Sequence, residues 1–339
     1  MAGFSVIHRG IREDSDVARS NTVLMPPPSG DHSGLTDGAA FTAALAKLGG
    51  AGGTVQFQRG AYFDNTQRSP GNYVVLKGDG GLSAGAVPGT LLAYTGTAAS
   101  YLNWQTSTGA QVHDMMLFAN SAGFTGRLID LSNFSSLSRV ERCTLFLTDT
   151  TAAVGVYLDN AEDFTLMGGN VVGGKYGLQG IATAGHIASG ISILGPRIGG
   201  QGAAGAGVIG IGQGWLVNGI FERQNGQRGI AAGPSPSQGS AIVSCWLGDG
   251  TGANPVIEVF ADGLDIRGNF IGGTATSKGV QFVGTSDGVD LAANRFDTHA
   301  LAVDKNAQTV TNIGIGPNSY TNVTTHHNFT AGGTAYIEA

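Results

Sequence analysis

Asp265 and Asp290 stand 25 residues apart in matching frames, Leu264-Asp265-Ile266-Arg267-Gly268-Asn269 and Val289-Asp290-Leu291-Ala292-Ala293-Asn294. If the chain repeats with that period, their carboxylates lie on successive layers about 5 Å apart. Such a pair suits retaining glycoside hydrolysis, with one group as nucleophile and the other as acid. Mutual repulsion raises one pKa of a close pair, as an acid catalyst requires. Arg267 completes the cluster. The same pattern also describes solvated surface aspartates whose repulsion an arginine offsets. Glu222, Asp249 and Asp297 follow the corresponding position on nearby repeats and are expected to line the same groove.

Trp246, Phe270 and Arg295 recur at intervals of 24 and 25 residues. Aromatic faces stack on sugar rings, so this stripe reads as a glycan platform; it reads equally as an apolar strip buried between the subunits of a homotrimer. Phe221 belongs to the same stripe, with its register ambiguous by one residue. His299, Tyr320, His326 and His327 suggest a metal or a proton-transfer pair, but no carboxylate or cysteine completes a ligand set. Capping or subunit contact is expected there, with no metal. The glycines form no phosphate-binding loop, and no cofactor is expected.

A repeat must position these residues. Taking the last residue of each recurring segment as a marker gives Asn170, Pro196, Ile220, Cys245, Asn269, Asn294 and Asn318, spaced by 26, 24, 25, 24, 25 and 24 residues. A short apolar alternation, a turn and another alternation closing after about 25 residues describe one coil of a parallel β-solenoid. Val289, Leu291, Leu264 and Ile266 then point inward, and Asp290, Asp265 and Arg267 outward. Asn170, Asn269, Asn294 and Asn318 are expected at equivalent turns, their amides bonded from coil to coil. Cys143 and Cys245 fall four coils apart, too far for a disulfide, and are expected as reduced core residues.

Composition agrees. Glycine supplies 57 of the 339 residues, against roughly 7% in ordinary chains, which opposes long helices. Hydrophobic residues make up 41% and the net charge is −6, so the chain is neither disordered nor built to bind nucleic acid. The uncharged stretch 198–221 is broken by glycines, Gln201, Gln213 and Asn218, and reads as strands and turns rather than a membrane span. The first residues lack a basic start and an apolar run, so no secretory leader is expected and maturation is placed in the cytoplasm.

A solenoid end must be capped. Phe41, Ala44, Leu45 and Leu48 have helical spacing, with Asp37 at the expected N-cap and Gly49-Gly50 as the stop. Asp37-Gly38-Ala39-Ala40-Phe41, Gly53-Thr54-Val55-Gln56-Phe57 and Gly60-Ala61-Tyr62 resemble the N-terminal signature of the pectate-lyase-like superfamily. Val75-Leu76-Lys77-Gly78-Asp79-Gly80 and Gly89-Thr90-Leu91-Leu92 resemble its next segment. The resemblance covers residues 30–95 and implies an all-β, right-handed parallel β-helix with a capping helix.

It implies function less directly, because the fold hosts lyases, hydrolases, epimerases and phage adhesins. An Arg-x-Pro-x-x-Arg motif is not evident, which argues against pectate cleavage. The expected organisation is an attachment arm at 1–30, the cap and first coils at 31–110, the β-helix at 111–325 and a terminal cap or interface at 326–339. The first expectation for function is a tailspike-like phage virion protein, assembled in the host cytoplasm. It would bind bacterial surface polysaccharide, with depolymerase activity if the paired carboxylates are catalytic, and join other virion proteins through its N-terminal arm. The alternatives are a free polysaccharide lyase, hydrolase or epimerase, and a non-catalytic virion decoration protein.

Overall fold

The coil holding Asp265 shows the plan of the molecule: Leu264–Arg267, Phe270–Gly272 and Lys278–Phe282 are three short strands joined by turns. Each pairs in parallel with its counterpart one coil away, Asp265 with Asp290, Phe270 with Arg295 and Val280 with Val303. Three columns of strands result, here called the first, second and third sheets. Long strands such as Arg295–Asp304 run round a corner and serve two sheets. The computed structural model describes residues 21–80, 89–121, 123–133, 135–183, 186–222, 228–233, 238–248, 254–329 and 335–337. It is an all-β solenoid of about ten coils with about 25 residues each.

Alternation supplies the core. On the first sheet an unbroken inward stack runs from Val55 through Leu76, Val112 and Ile266 to Ile315, none more than 1% exposed. Each such side chain contributes roughly 1.5–3 kcal/mol by leaving water, so stacking and not any single coil holds the fold. Val289, Leu291, Leu264 and Ile266 all point inward.

Among the described residues the one helix is Leu35–Leu48, and it buries Phe41, Ala44 and Leu48 against the first coils. Gly49 ends it at φ 59°, in the left-handed region that favours glycine. Asp37 is not its N-cap. Gly34 occupies that position, and the buried Asp37 carboxylate instead accepts the backbone N–H groups of Ser29 (2.9 Å) and Phe63 (3.0 Å). The helix is thereby pinned to the strand beneath it. Thr22–Leu24 pairs with Gly53–Gln56, so part of the segment expected as an arm is the first rung of the solenoid; residues 1–20 lie outside the described residues. The strand Ser319–Asn328 runs through the boundary expected at 325.

The turn between the first and second sheets carries the asparagine ladder. Asn269 Nδ2 donates to Asn294 Oδ1 at 2.9 Å, and Asn294 Nδ2 to Asn318 Oδ1 at 3.1 Å. The same oxygens accept the backbone N–H of Asn269 and Asn294, at 3.1 and 2.8 Å. Asn170 is not part of it. It pairs with Thr144 and Arg197, one residue past the turn, in the column of Trp246 and Phe270. Phe164 shares a column with Leu264, so the residue that matches Asn269 is Gly169, and Asn170 follows it. The turn that departs from its neighbours is Gly219, a single residue between Asn218 and Ile220 where Gly195-Pro196 and Ser244-Cys245 are two. Cys245 takes the turn position before the ladder, its N–H donating to Asn269 Oδ1 at 2.8 Å. Cys143 and Cys245 are both free and buried, and burial pushes each thiol up to about 12.

Candidate functional site

Trp246 and Phe270 face outward on adjacent rungs of the second sheet, their rings 5.8 Å apart and 14° from parallel. Arg295 follows on the next rung, its Cζ 5.6 Å from the Phe270 centroid. Both rings lie down along their strands. Gly248 and Gly272 permit this, since a Cβ there would come within 2.6 Å of Trp246 Cη2 and 2.9 Å of Phe270 Cε1. Ile220, 43% exposed, extends the apolar tract one rung the other way. An ion pair closes each end: Arg197 Nη2 to Glu222 Oε1 at 2.5 Å, and Arg295 Nη2 to Asp297 Oδ2 at 3.7 Å.

The result is a flat apolar strip three rungs long between two arginine–carboxylate pairs. A pyranose presents C–H groups on its faces and hydroxyls round its rim, so it can stack on the rings while the end pairs take its hydroxyls. Phe221 does not join the strip; it is 1% exposed and inward, paired with Ile198 and Leu247.

Asp265 and Asp290 are directly paired on the first sheet, with Arg267 beside both. Arg267 Nε lies 2.6 Å from Asp265 Oδ1 and its Nη2 3.7 Å from Asp290 Oδ2. All three side chains are more than a third exposed. The structure thus brings this trio together but separates it from Glu222 and Asp297, which lie round the asparagine corner on the second sheet. The expectation of one shared groove is corrected: a common spacing identifies the coil, not which of its three faces a residue occupies. Asp249 lies outside the described residues.

No protein-family model and no curated protein matches the chain. Solved structures do. The A-module of the mannuronan C-5 epimerase AlgE6 of Azotobacter vinelandii superposes with a TM-score of 0.61 at 15% identity, over 92% of this chain and 98% of that one. The DFA-IIIase of Arthrobacter chlorophenolicus A6, solved without its lid, gives 0.63 at 11%, over 94% and 92%. Tailspike protein 3 of bacteriophage CBA120 gives 0.51 at 11%, over 98% of this chain and 64% of that one. The chain is a right-handed parallel β-helix. At these identities the likeness extends to the fold and no further.

One charged group on the β-helix escaped the sequence reading. On the first sheet, near its N-terminal end, His113 Nδ1 lies 3.4 Å from Glu141 Oε2 and its Nε2 2.8 Å from Gln111 Oε1. Arg142 pairs with Glu141 and, at 2.6 Å, with Asp114. Burial pushes the imidazole down to about 4, with Asp114 opposing and the guanidiniums of Arg139 and Arg142 reinforcing the shift. His113 is therefore neutral at pH 7, and its 3.4 Å approach to Glu141 is not an ion pair.

At the far end, His299 is fully buried between Ser277 Oγ and the Ile271 carbonyl, each at 2.9 Å. Tyr320 stacks on His326 with ring centroids 4.0 Å apart, and its hydroxyl meets His327 Nε2 at 2.8 Å. Among the described residues no three His, Cys, Asp or Glu side chains converge as metal ligands. No helix among them is long and apolar enough to cross a membrane.

Proposed function

We propose that this β-helix is a glycan-binding protein of tailspike type, holding bacterial surface polysaccharide on the strip formed by Trp246, Phe270 and Arg295. The strip itself carries the reading: two stacked, half-buried rings on a flat face, seated on glycines and closed at each end by an arginine–carboxylate pair. Free energy is gained by covering such a surface, and a chain of sugars fits its length and its polar ends. The tailspike among the solved neighbours shares the fold and supports a virion location.

The test is binding of wild type and Trp246→Ala to an array of bacterial capsular and O-antigen polysaccharides. At least one should be retained by wild type and lost by the variant. Retention by both would sink the platform. Light scattering separates the competing use of the strip: if it is the seam of a homotrimer, Trp246→Ala becomes monomeric while wild type does not.

A second reading, a polysaccharide lyase, hydrolase or epimerase, draws on the epimerase and the DFA-IIIase among the neighbours and on the pairing of Asp265 with Asp290. We assign Arg267 to neutralising that pair, since it reaches both carboxylates and all three groups stand in water. Incubation with a bound polysaccharide decides: new reducing ends or unsaturated uronates, abolished in Asp265→Asn or Asp290→Asn, would restore the catalytic role.

A further inference from the structure

The rings of the Trp246 strip lie as paving on the second sheet. A Cβ placed on Gly248 would come within 2.6, 2.7 and 3.1 Å of Cη2, Cζ2 and Cζ3 of Trp246, so the face of the indole, rather than its rim, covers that glycine. Phe270 reaches over Gly272 in the same direction, its plane 14° from that of Trp246 and its centroid 5.8 Å away. Two nearly parallel rings this far apart, both resting on strand backbone, lie side by side. Their outer faces form one level surface.

That surface has a direction and a period. Ile220, Trp246, Phe270 and Arg295 are consecutive register partners, so the strip steps from coil to coil, about 4.8 Å at a time and about 14 Å from first to last. Across the strands it is one side chain wide, because the outward positions beside those four residues belong to Glu222, Gly248, Gly272 and Asp297. Its long axis is therefore the axis of the solenoid.

A pyranose lies flat on an aromatic face when its axial groups are hydrogens and its hydroxyls and linkages point sideways. In a chain linked equatorially through every ring, successive rings turn over yet stay in one ribbon, with C–H groups on both faces, and each sugar advances by about one coil spacing. A chain with axial linkages bends out of the plane from one ring to the next. At the far end of the strip the Arg295 guanidinium stands beside Phe270, its Cζ 5.6 Å from the ring centroid, where its N–H groups can donate to sugar hydroxyls.

We propose that the strip selects an extended, equatorially linked polysaccharide running parallel to the solenoid axis, one pyranose on each of the rungs of Ile220, Trp246, Phe270 and Arg295. The proposal rests on the glycan-binding reading of these residues and adds the linkage geometry and the length of what is bound.

The test titrates the full chain by calorimetry with the β-1,4-linked series cellobiose, cellotriose, cellotetraose and cellohexaose, and with α-1,4-linked maltotetraose, which has the same sugar on a curved backbone. Affinity should rise about tenfold or more from cellobiose to cellotetraose, as two further rungs are covered, and by less than about threefold from there to cellohexaose. Maltotetraose should bind about tenfold or more weakly than cellotetraose. In Ile220→Ser, a change at an exposed position, cellotetraose should bind no tighter than cellotriose, the strip being one rung shorter. Equal affinity for the two tetraoses, a continued rise to cellohexaose, or an unchanged length series in Ile220→Ser overturns the proposal and leaves the glycan-binding reading standing. So does binding of none of these probes while a capsular or O-antigen polysaccharide is retained by wild type and lost by Trp246→Ala. If no polysaccharide of the array is retained at all, the glycan-binding reading falls and the proposal with it.

Discussion

The coils between Trp246 and Arg295 carry two outward faces of opposite character, separated by the asparagine corner. On the first sheet Asp265, Arg267 and Asp290 answer one another's charge and stand largely in water. On the second sheet Trp246 and Phe270 answer one another only by stacking, and their outer surface stays apolar. Exposed ions gain little from a partner, because water already solvates them. An exposed aromatic pair gains roughly 25 cal/mol for each Å² it covers. The difference shows why the cluster of paired aspartates need not be the recognition site: the free energy available for binding lies on the face whose centre is apolar and whose charges stand only at its ends.

The corner keeps the faces apart, and breaking it gives the largest effect. Asn294→Leu removes the acceptor for the Asn269 side chain and N–H and the donor to the Ile266 carbonyl, stranding buried groups. At about 1–3 kcal/mol for a stranded group, stability should fall by about 3 kcal/mol or more in urea unfolding. Both faces should loosen together, read as faster amide exchange at Asn269 and Phe270. An unchanged midpoint would mean that the ladder adds nothing to the stacked core.

The other end of the first sheet sharpens the comparison, because there His113 and Glu141 are largely withdrawn from water. The His113 pKa is lowered to about 4 in the fold from an ordinary 6.5. The unfolded chain therefore binds the extra proton first, and stability present above pH 6.5 is lost as pH falls towards 4. The loss should be on the order of 2 kcal/mol. His113→Gln should flatten the stability profile between those limits and leave the carboxylate-driven loss below pH 4. A profile of equal slope in both proteins would remove His113 as the cause.

The coil was legible because its inward residues recur with nearly constant spacing, and Asn269, Asn294 and Asn318 mark the corner chemically. Earlier in the chain Cys143, Gly169, Pro196 and Gly219 hold that position, and none carries an amide to mark it. Asn170, one residue past that position, therefore reads as a ladder member, and the single-residue turn at Gly219, where neighbouring coils have two, moves Phe221 out of the stripe to which its spacing assigns it. Trp246, Phe270 and Arg295 could be aligned because their spacing equals one coil, whereas Glu222 and Asp297 could not be assigned a face by spacing. His113 was illegible for another reason. Lys77, His113 and Glu141 are register partners separated by 36 and then 28 residues, so loop insertions hide the column.

On the aromatic face, Trp246→Ala should reduce affinity for a retained polysaccharide at least tenfold without a comparable loss of stability, since the ring is half exposed. Gly248→Ala tests the same surface without deleting it. The added methyl must displace the Trp246 ring, so affinity should fall while the ring chemistry remains. Normal affinity in Gly248→Ala would show that the ring need not lie flat.

The smallest effect belongs to the charged trio. Arg267→Gln leaves Asp265 and Asp290 facing each other on adjacent rungs, a repulsion that water and salt screen. Stability should change by no more than about 0.5 kcal/mol in 0.15 M salt, and by more as salt is withdrawn. Glycan affinity should not move. A loss of affinity equal to that of Trp246→Ala would reverse the comparison, since the ligand would then have to reach round the asparagine corner and engage both faces at once.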